Sequence, residues 1–302
     1  MKFGCGKMRI NNVEIEDTYA EVFNMYMSRF LITAITNRWA LFAAFNSKGS
    51  VQGAGEASVE TEVSLLDTPD KRPGYVVMVA HFSQKELSKW LVARIRKGVM
   101  PIPTTATFDA MPDRLVEYFI DIKDTSIQLF GDGYEENVKI FDREMYKIPR
   151  MDGFFYIDTR MGARKGIAGG NFFVLGQSQG AALLAAEVAV QAMRKFPHVV
   201  VLGPVPAASG SKVGGKNYQN ATATTNEKYC PCIMNKVPDT KIPNGVTCVY
   251  ELTLNGLELE SVKKAMAAGI LAATKVEGIS KITAGNFEGR LGQIKINLHD
   301  IL

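Results

Sequence analysis

Residues 171–202, NFFVLGQSQGAALLAAEVAVQAMRKFPHVVVL, decide how the second half of the chain folds. A short apolar run at 171–176 leads into an alanine-rich stretch at 179–196, and a second apolar run follows at 198–202. Short apolar runs bounded by turn residues favour buried strands, whereas a long alanine-rich stretch favours a helix. The segment therefore predicts a β-α-β unit.

The same pattern returns closer to the C-terminus, where residues 246–255, 258–275 and 279–284 predict a strand, a helix and a strand. One apolar stripe runs along one side of the predicted helix. It consists of Val262, Ala265, Met266, Gly269, Ile270 and Ala273. Two β-α-β units in one lobe favour an α+β fold of the ferredoxin-like plan, with both helices on one face of an antiparallel sheet. Residues 203–245 form a long polar connection between the units, and such connections are usually functional.

The first half of the chain predicts another lobe of mixed strands and helices. Thr18 and Glu21 have the spacing of a capping box, which predicts the start of a short helix. The boundary between the lobes falls near Arg150, so the predicted domains are residues 1–150 and 151–302. The remaining predictions are strands at 8–15, 30–35, 75–82 and 126–130 and helices at 37–45 and 83–97.

Composition and charge exclude several classes of protein. The 302-residue chain is 46% hydrophobic and 22% charged, as globular proteins are. Its net charge of +4 suits anionic small ligands but not the basic stripe of a nucleic-acid-binding protein. The N-terminus lacks the apolar core of a signal peptide, and the most apolar helix is too short to cross a membrane. Four cysteines are too few for a disulfide scaffold, so we expect a cytoplasmic protein.

The motif GQSQG at 176–180 matches the G-x-S-x-G elbow of serine hydrolases, with Ser178 as the nucleophile. A serine nucleophile needs a histidine base. His81 precedes the serine, and His198 lies at the far end of the helix that the serine begins, so only His299 remains. A hydrolase is therefore a remote alternative, and the simpler interpretation is that Ser178 caps the helix.

The cysteines do not predict a metal site. Cys230-Pro-Cys232 and Cys248 lack the C-x-x-C spacing, and a fourth ligand is missing. Buried or loop thiols are the simpler interpretation.

Blocks of sequence along almost the whole chain are more specific than any of these motifs. In them the chain resembles the formylmethanofuran:tetrahydromethanopterin formyltransferase family. The blocks are NNVEIEDTYAE (11–21), TPDKRPG (68–74), PTTATFDAM (103–111), FGDGYE (130–135), AGGNFF (168–173), ASGSKVG (208–214), ATTNEKYCP (223–231), CVYELTLNGL (248–257) and TAGNFEGRLGQ (283–293).

The resemblance implies two ferredoxin-like lobes, a cytoplasmic dimer of dimers, and no metal or permanently bound cofactor. It implies that a formyl group moves between the substrates methanofuran and tetrahydromethanopterin, through a tetrahedral intermediate in a ternary complex. It also implies a possible formyltransferase/hydrolase complex as a partner. Such a reaction needs positioning, a proton acceptor and donors for the oxyanion.

Glu251, in the block CVYELTL, matches the glutamate that the family offers for the acid/base role. Strand alternation puts it on the same side as Val249 and Thr253 and opposite Leu252. Partly apolar surroundings would raise the pKa of the carboxyl toward neutrality. The alternative is a carboxylate on the solvent-facing side of a sheet, which is the commoner case for strand glutamates.

Other matched blocks supply candidate residues for binding the two coenzymes. Ser209, Ser211 and Lys212 lie in a glycine-rich loop suited to holding anionic groups or an oxyanion. Acidic tails on both coenzymes also suit Lys216 and Arg290. Weaker candidates are Thr104, Thr105, Asn226 and Asn286, because Thr and Asn favour turns without any ligand.

Some segments depart from the pattern of the family. They are residues 45–60, residues 96–104, the two prolines within 202–214, and Glu288-Gly289 where the family has a double glycine. A side chain in place of a loop glycine can close a pocket. A divergent, non-catalytic paralogue or partner subunit that binds a pterin or methanofuran is therefore the second hypothesis.

Overall fold

The computed structural model describes residues 8–48, 56–203, 206–208, 210–290 and 292–302. They form two compact units of a mixed α/β fold that is rich in β-sheet. Unit A comprises the described residues of Met1–Phe23 and Ile167–Leu302, and unit B comprises those of Asn24–Gly166. Nowhere in the described ranges is there a helix long and apolar enough to cross a membrane.

The elements are numbered in chain order. The α-helices are α1 (Asn37–Lys48), α2 (Gln84–Arg94), α3 (Gln179–Met193) and α4 (Leu259–Ala273). The strands are β1 (Arg9–Ile10), β2 (Val13–Ile15), β3 (Tyr19–Thr33), β4 (Glu56–Val63), β5 (Gly74–His81), β6 (Ala106–Asp109), β7 (Tyr118–Asp121), β8 (Glu136–Ile140), β9 (Arg143–Arg150), β10 (Gly153–Asp158), β11 (Arg160–Gly176), β12 (Val199–Val201), β13 (Ser211–Val213), β14 (Ala223–Thr225), β15 (Cys248–Gly256), β16 (Ile279–Thr283) and β17 (Ile294–Asn297).

The sheet of unit A has the strand order β12-β15-β11-β16-β2-β1. The neighbours are antiparallel except β16 and β2, which are parallel. The strands and helices of both predicted β-α-β units are confirmed: β11, α3 and β12 form the first, and β15, α4 and β16 form the second.

Helices α3 and α4 pack on one face of this sheet. The predicted apolar stripe of α4, from Val262 to Ala273, is buried as expected. At Gly269, an added Cβ would lie 2.8 Å from Cγ of Met193 on α3, so the glycine permits the close approach of the two helices. The result is a dry core of small and branched side chains between helices and strands.

Part of the connection that follows β12 packs against the opposite face of the same sheet. It contains the β13–β14 hairpin and two 3₁₀ turns, Glu227–Tyr229 and Pro231–Lys236. A small apolar cluster anchors it to β11 and β15. The cluster consists of Phe173, Leu175, Ile242 and Val246, with Tyr229, Met234 and Val249 partly buried around them. The two faces of one sheet therefore have different covers, helices on one side and loops on the other.

Unit B has the strand order β4-β5-β3-β6-β10-β9-β8, and β7 pairs with residues 160–163 of β11. Only the β6–β10 pair in this order is parallel. Helices α1 and α2 contribute to its core, in which Leu87, Leu91 and Ile95 of the predicted 83–97 helix are buried at intervals of four residues. A π-helical turn, Ile95–Val99, continues α2, so the helical segment predicted to Lys97 changes its winding after Arg94.

The predicted helix at Thr18 is wrong. Residues Tyr19–Thr33 form one long strand, and the carboxylate of Glu21 accepts hydrogen bonds from backbone amides near residue 290 instead of capping a helix. Pairing in the sheet therefore overrides the local capping signal.

Two further strand predictions are corrected. Residues 8–15 are not one strand, because Asn11 and Asn12 have positive φ angles of 50° and 66° and join β1 to β2 in a tight hairpin. Residues 126–130 run into a 3₁₀ turn, Gln128–Gly131, in which the backbone amide of Phe130 donates to the carbonyl of Ile127 at 3.3 Å.

Candidate active site

Strand β15 holds Glu251 on the face of the sheet that the loops cover. Its neighbours Leu252 and Leu254 belong to the core under α3 and α4, whereas Val249 belongs to the loop-side cluster. The predicted alternation along this strand is therefore confirmed. Glu251 pairs directly with Phe173 on β11, which places the aromatic ring beside the carboxyl group.

The loop after β12 closes over Glu251. Ala207 and Glu251 exchange two backbone hydrogen bonds of 2.9 Å, so the loop runs alongside the strand. A Cβ at Gly210 would lie only 2.9 Å from Oε2 of Glu251. A side chain at this position would therefore displace the carboxylate from where it lies.

Burial raises the pKa of Glu251 to about 7, from an ordinary value of 4.5. Within the part of the chain that the structure describes, no hydrogen bond or ion pair reaches this carboxylate. Both the protonated and the ionised form are consequently present near neutral pH, which is the condition for a group that accepts and returns a proton.

A cavity of about 510 Å³ lies beside Glu251 within unit A. Its volume is in the range of small-molecule sites. Five cationic side chains line it: Lys212, Lys216, Lys228, Lys241 and Arg290. The acidic lining residues among those described are Glu251 and Glu288, so the cavity favours an anionic ligand.

The five cations differ in how firmly they are already paired. Lys212 forms an ion pair with Glu227, and Lys228 forms one of 2.7 Å with Asp239. Arg290 lies 3.4 Å from Glu288, but both side chains are exposed and the pair is weak.

Lys216 and Lys241 have no ion pair among the described residues. They are therefore the cations most available to an incoming anion.

Two predicted asparagines line the same cavity. The side-chain amide of Asn286 donates to Oγ1 of Thr18 at 3.1 Å and to the carbonyl of Tyr19 at 3.2 Å. The backbone amide of Asn226 donates to the carbonyl of Gly210 at 3.1 Å. No hydrogen bond involves the Asn226 side chain within the described ranges, so its carboxamide remains available to a ligand.

The other predicted binding residues are not part of this cavity as described. Ser209 lies outside the described residues, and of Ser211 only the backbone is described, in the pair with Thr225. Thr104 and Thr105 belong to unit B. The roles proposed for these four residues stay predictions.

The two threonines of unit B have local partners. Thr104 has a positive φ of 65°, and its backbone amide donates to Oδ2 of Asp152 at 2.6 Å. The hydroxyl of Thr105 is buried and donates to the carbonyl of Ile102 at 2.9 Å. These contacts stabilise the turn that precedes β6.

Sequence reasoning missed two residues that shape the cavity. Asn171 on β11 accepts from the backbone amide of Gly285 at 2.6 Å and donates to the carbonyl of the same residue at 3.1 Å. Tyr229 packs edge-on against Phe173, with ring centroids 4.8 Å apart, and burial raises the pKa of its hydroxyl. Both lie in blocks matched to the family, AGGNFF and ATTNEKYCP, and that match was the only signal for them in the sequence.

Ser178 caps α3, as the simpler interpretation predicted. Its hydroxyl accepts from the backbone amide of Ala181 at 3.2 Å, and it makes no hydrogen bond to a histidine in the described part of the chain. Nε2 of His299 lies 3.0 Å from the carbonyl of Ile15.

The described cysteines and other possible ligand residues form no metal-binding group. Across the described ranges, no group of three or more His, Cys, Asp or Glu side chains is placed to hold a metal ion. Cys230 and Cys232 have their sulfurs 3.9 Å apart, and Cys248 is buried separately.

A carboxyl group with a pKa near neutrality, beside a cationic cavity, is an arrangement suited to proton transfer on an anionic substrate. Group-transfer and hydrolytic enzymes that use acid/base chemistry have sites of this kind.

Comparison with known proteins gives the family. Residues 8–150 match the family described as formylmethanofuran-tetrahydromethanopterin formyltransferase, and residues 153–301 match the one described as FTR, proximal lobe. A formylmethanofuran–tetrahydromethanopterin formyltransferase of Methanothermobacter thermautotrophicus is 46% identical over 301 residues, covering 97% of this chain and 100% of its own. The chain belongs to the formylmethanofuran-tetrahydromethanopterin formyltransferase family.

Solved structures agree with this assignment. The formylmethanofuran:tetrahydromethanopterin formyltransferase of Methanosarcina barkeri superposes with a TM-score of 0.92 at 43% identity, covering 98% of this chain and all of its own. A chain from the formyltransferase/hydrolase complex of Methylorubrum extorquens, solved with methylofuran, has a TM-score of 0.90 at 30% identity and covers 98% of this chain and 99% of its own.

Proposed function

We propose that this chain transfers a formyl group between formylmethanofuran and tetrahydromethanopterin, with Glu251 as the acid/base. Full-length relatives that are 44–46% identical carry this activity in their names, which supports the reaction. The observation that carries the mechanism is the unpaired Glu251 carboxyl, whose pKa burial raises to about 7 beside a cationic cavity. No metal and no permanently bound cofactor take part in this proposal.

In the proposed reaction, Glu251 carries one proton from one substrate nitrogen to the other. A ring nitrogen of tetrahydromethanopterin attacks the formyl carbon, and the carbonyl becomes a tetrahedral oxyanion. Glu251 takes the proton that the attacking nitrogen loses and delivers it to the nitrogen of methanofuran as the carbon–nitrogen bond breaks. The formyl carbon bonds only to substrate nitrogens throughout, so the enzyme acts by positioning and proton transfer.

Charged groups and hydrogen-bond donors near Glu251 suit the two other requirements of the reaction, which are binding of the coenzymes and stabilisation of the oxyanion. Lys216 and Lys241 line the cavity without a protein ion pair among the described residues, which fits them to the acidic tails of the coenzymes. The free carboxamide of Asn226 is the candidate donor to the oxyanion. The glycine-rich loop with Ser209, Ser211 and Lys212 is proposed to add further donors.

The finer architecture belongs to the same proposal. The strand order β16-β11-β15-β12 with α3 and α4 on one face supports a ferredoxin-like lobe in the C-terminal half. We extend that plan to the N-terminal half, with residues 1–150 and 151–302 as the two lobes. A cytoplasmic dimer of dimers is proposed, and the Methylorubrum relative supports a formyltransferase/hydrolase complex as a second form of assembly.

A direct assay tests the function. Purified protein receives formylmethanofuran and tetrahydromethanopterin, and formyl-pterin formation is followed by absorbance. We expect Glu251→Gln to lower kcat by about 10²–10⁴, the usual contribution of a positioned acid/base group. Glu187→Gln, on the exposed side of α3, is the matched control and should leave kcat unchanged.

Each alternative has its own result in this assay. Tight binding of either coenzyme without turnover by the wild type would favour the non-catalytic paralogue. Labelling of Ser178 by a fluorophosphonate, with hydrolysis lost in Ser178→Ala, would revive the serine hydrolase. Full activity of Glu251→Gln would leave the reaction in place but remove Glu251 from it.

A further inference from the structure

One wall of the cavity is a single segment between β16 and β17. Gly285, Asn286, Phe287, Glu288 and Arg290 all line the cavity, and all five come from this segment. It contains no regular secondary structure in its described residues. Other contacts must therefore hold the wall in one position.

The buried carboxylate of Glu21 provides those contacts. Glu21 lies on β3 and is only 3% exposed. Its Oε1 accepts hydrogen bonds from the backbone amides of Phe287, at 2.7 Å, and Gly289, and its Oε2 accepts from the amide of Gly292 at 3.1 Å. Burying a carboxylate is costly unless its oxygens are hydrogen-bonded, and here amides of the segment between β16 and β17 bond both oxygens.

The backbone of the wall is shaped for this carboxylate. Glu288 and Gly289 have consecutive positive φ angles of 60° and 80° and form a tight turn, which the amide of Arg290 closes by donating to the carbonyl of Phe287 at 3.2 Å. This turn lets the amides around it converge on the Glu21 carboxylate, and a concave set of amides of this kind, or nest, binds anions. Gly292 has no room for a side chain, because a Cβ there would lie 2.8 Å from the backbone of Val22. The segment is therefore folded around an anion that β3 supplies.

We infer that Glu21 is a positioning residue for the proposed formyl transfer, which fixes the 285–290 wall of the coenzyme cavity by filling this nest of amides. This inference rests on the proposed function of the cavity. Glu21 itself bonds the backbone of the wall, and its effect on the substrate passes through Asn286 and Phe287. Without its carboxylate, the wall loses its preferred position and coenzyme binding weakens, while Glu251 keeps its surroundings on β15.

Glu21→Ala with acetate rescue tests the inference. The substitution removes the equivalent of one acetate from the nest. We expect KM for the coenzyme bound by the wall to rise by about tenfold or more while kcat stays within about threefold, the pattern of lost binding without lost chemistry. Added acetate should lower KM again, whereas chloride at equal ionic strength should not. Glu187→Ala is the control and should respond to neither.

Hydrogen exchange measures the wall without using activity. The amides of Phe287 and Gly289 should exchange slowly in the wild type, faster in Glu21→Ala, and slowly again with acetate. If Glu21→Ala does not fold, Glu21→Gln takes its place. We expect faster exchange and a raised KM in this variant as well. Acetate should not rescue it, because the side-chain carboxamide of the glutamine still fills the space.

The outcomes separate two kinds of failure. An unchanged KM together with unchanged exchange would overturn the inference. So would a loss of kcat that acetate does not reverse, because that is the result of general damage to the fold. If the wild type has no formyltransferase activity, the proposed function fails. The role of Glu21 is then still decided by two measurements on the wild type and Glu21→Ala: hydrogen exchange of the wall amides, and the dissociation constant for tetrahydromethanopterin.

Discussion

Phe172 and Phe173 are neighbours on β11, yet they lie in different environments. Phe172 points into the core under α3 and α4 and is fully buried. Phe173 points to the opposite face, where it packs against Tyr229 and lines the cavity beside Glu251. One strand thus contributes to a dry, close-packed core on one side and to a polar site on the other.

The difference lies in what covers each face. On the helix side, a Cβ at Gly269 would already be 3.1 Å from Cζ of Phe172, so no free space remains there. On the loop side, a cavity of about 510 Å³ stays open among polar and cationic groups. The helix side therefore supplies stability, and the loop side can hold a carboxyl group in an unusual state of ionisation.

The largest expected effect comes from truncating Phe172. Phe172→Ala leaves a dry void between helices and sheet and should lower the free energy of unfolding by about 3–5 kcal/mol. Phe173→Ala only enlarges a cavity that water can fill, so we expect a loss of about 2 kcal/mol from the lost burial. Urea denaturation of the two variants measures both values.

The pH dependence of kcat should change in the opposite order, more in Phe173→Ala than in Phe172→Ala. Phe173→Ala admits water to Glu251 and should move the pKa in the kcat profile downward, whereas folded Phe172→Ala should keep the wild-type profile. Equal losses of stability with equal profiles would show that the two faces do not differ in the way described.

The next effect is the dependence of stability on pH. Because burial raises the pKa of Glu251 from an ordinary 4.5 to about 7, ionising it costs the folded state free energy that the unfolded chain does not lose. The penalty is absent below the ordinary pKa, grows as the pH rises between the two values, and is complete above the folded one. Glu251→Gln should therefore stabilise the protein by up to about 3 kcal/mol at pH about 8 and by little at pH about 4.

Thermal unfolding of the wild type and Glu251→Gln across that pH range measures this difference. Glu187→Gln, on an exposed carboxyl of α3, is the control, since it lies on the helix side of the sheet. A difference that does not change with pH would mean that the Glu251 carboxyl is not held in a raised-pKa state.

The smallest effect belongs to Ser178 on the helix side. Removing its hydroxyl leaves the backbone amide of Ala181 without its cap. Ser178→Ala should lower the free energy of unfolding by about 1 kcal/mol and leave formyl transfer unchanged. Loss of activity without loss of stability would give Ser178 a chemical role that the helix cap does not explain.

The helix side could be predicted from the sequence because its signals are local. The stripe on α4 repeats every three or four residues, and the alternation along β15 has a period of two, so each can be found within one segment. The capping of α3 by Ser178 is equally local.

The loop side could not be predicted in this way, because its contacts join distant parts of the chain. The hydrogen bond from the amide of Phe287 to Glu21 spans 266 positions, and the one from Gly285 to Asn171 spans 114. The capping-box spacing of Thr18 and Glu21 even predicted a helix where a strand forms. For Glu251, the resemblance to the family was needed to prefer an acid/base role over a solvent-facing strand glutamate.

The central claim is that Glu251 is a partly buried carboxyl without a protein partner among the described residues and that it changes protonation near neutral pH. Carbon-13 NMR of protein labelled at the glutamate side-chain carboxyl, with Glu251→Gln to assign the signal, follows that group directly. The account predicts a titration midpoint at about 7 for this signal. A midpoint at the ordinary value of 4.5 would contradict it.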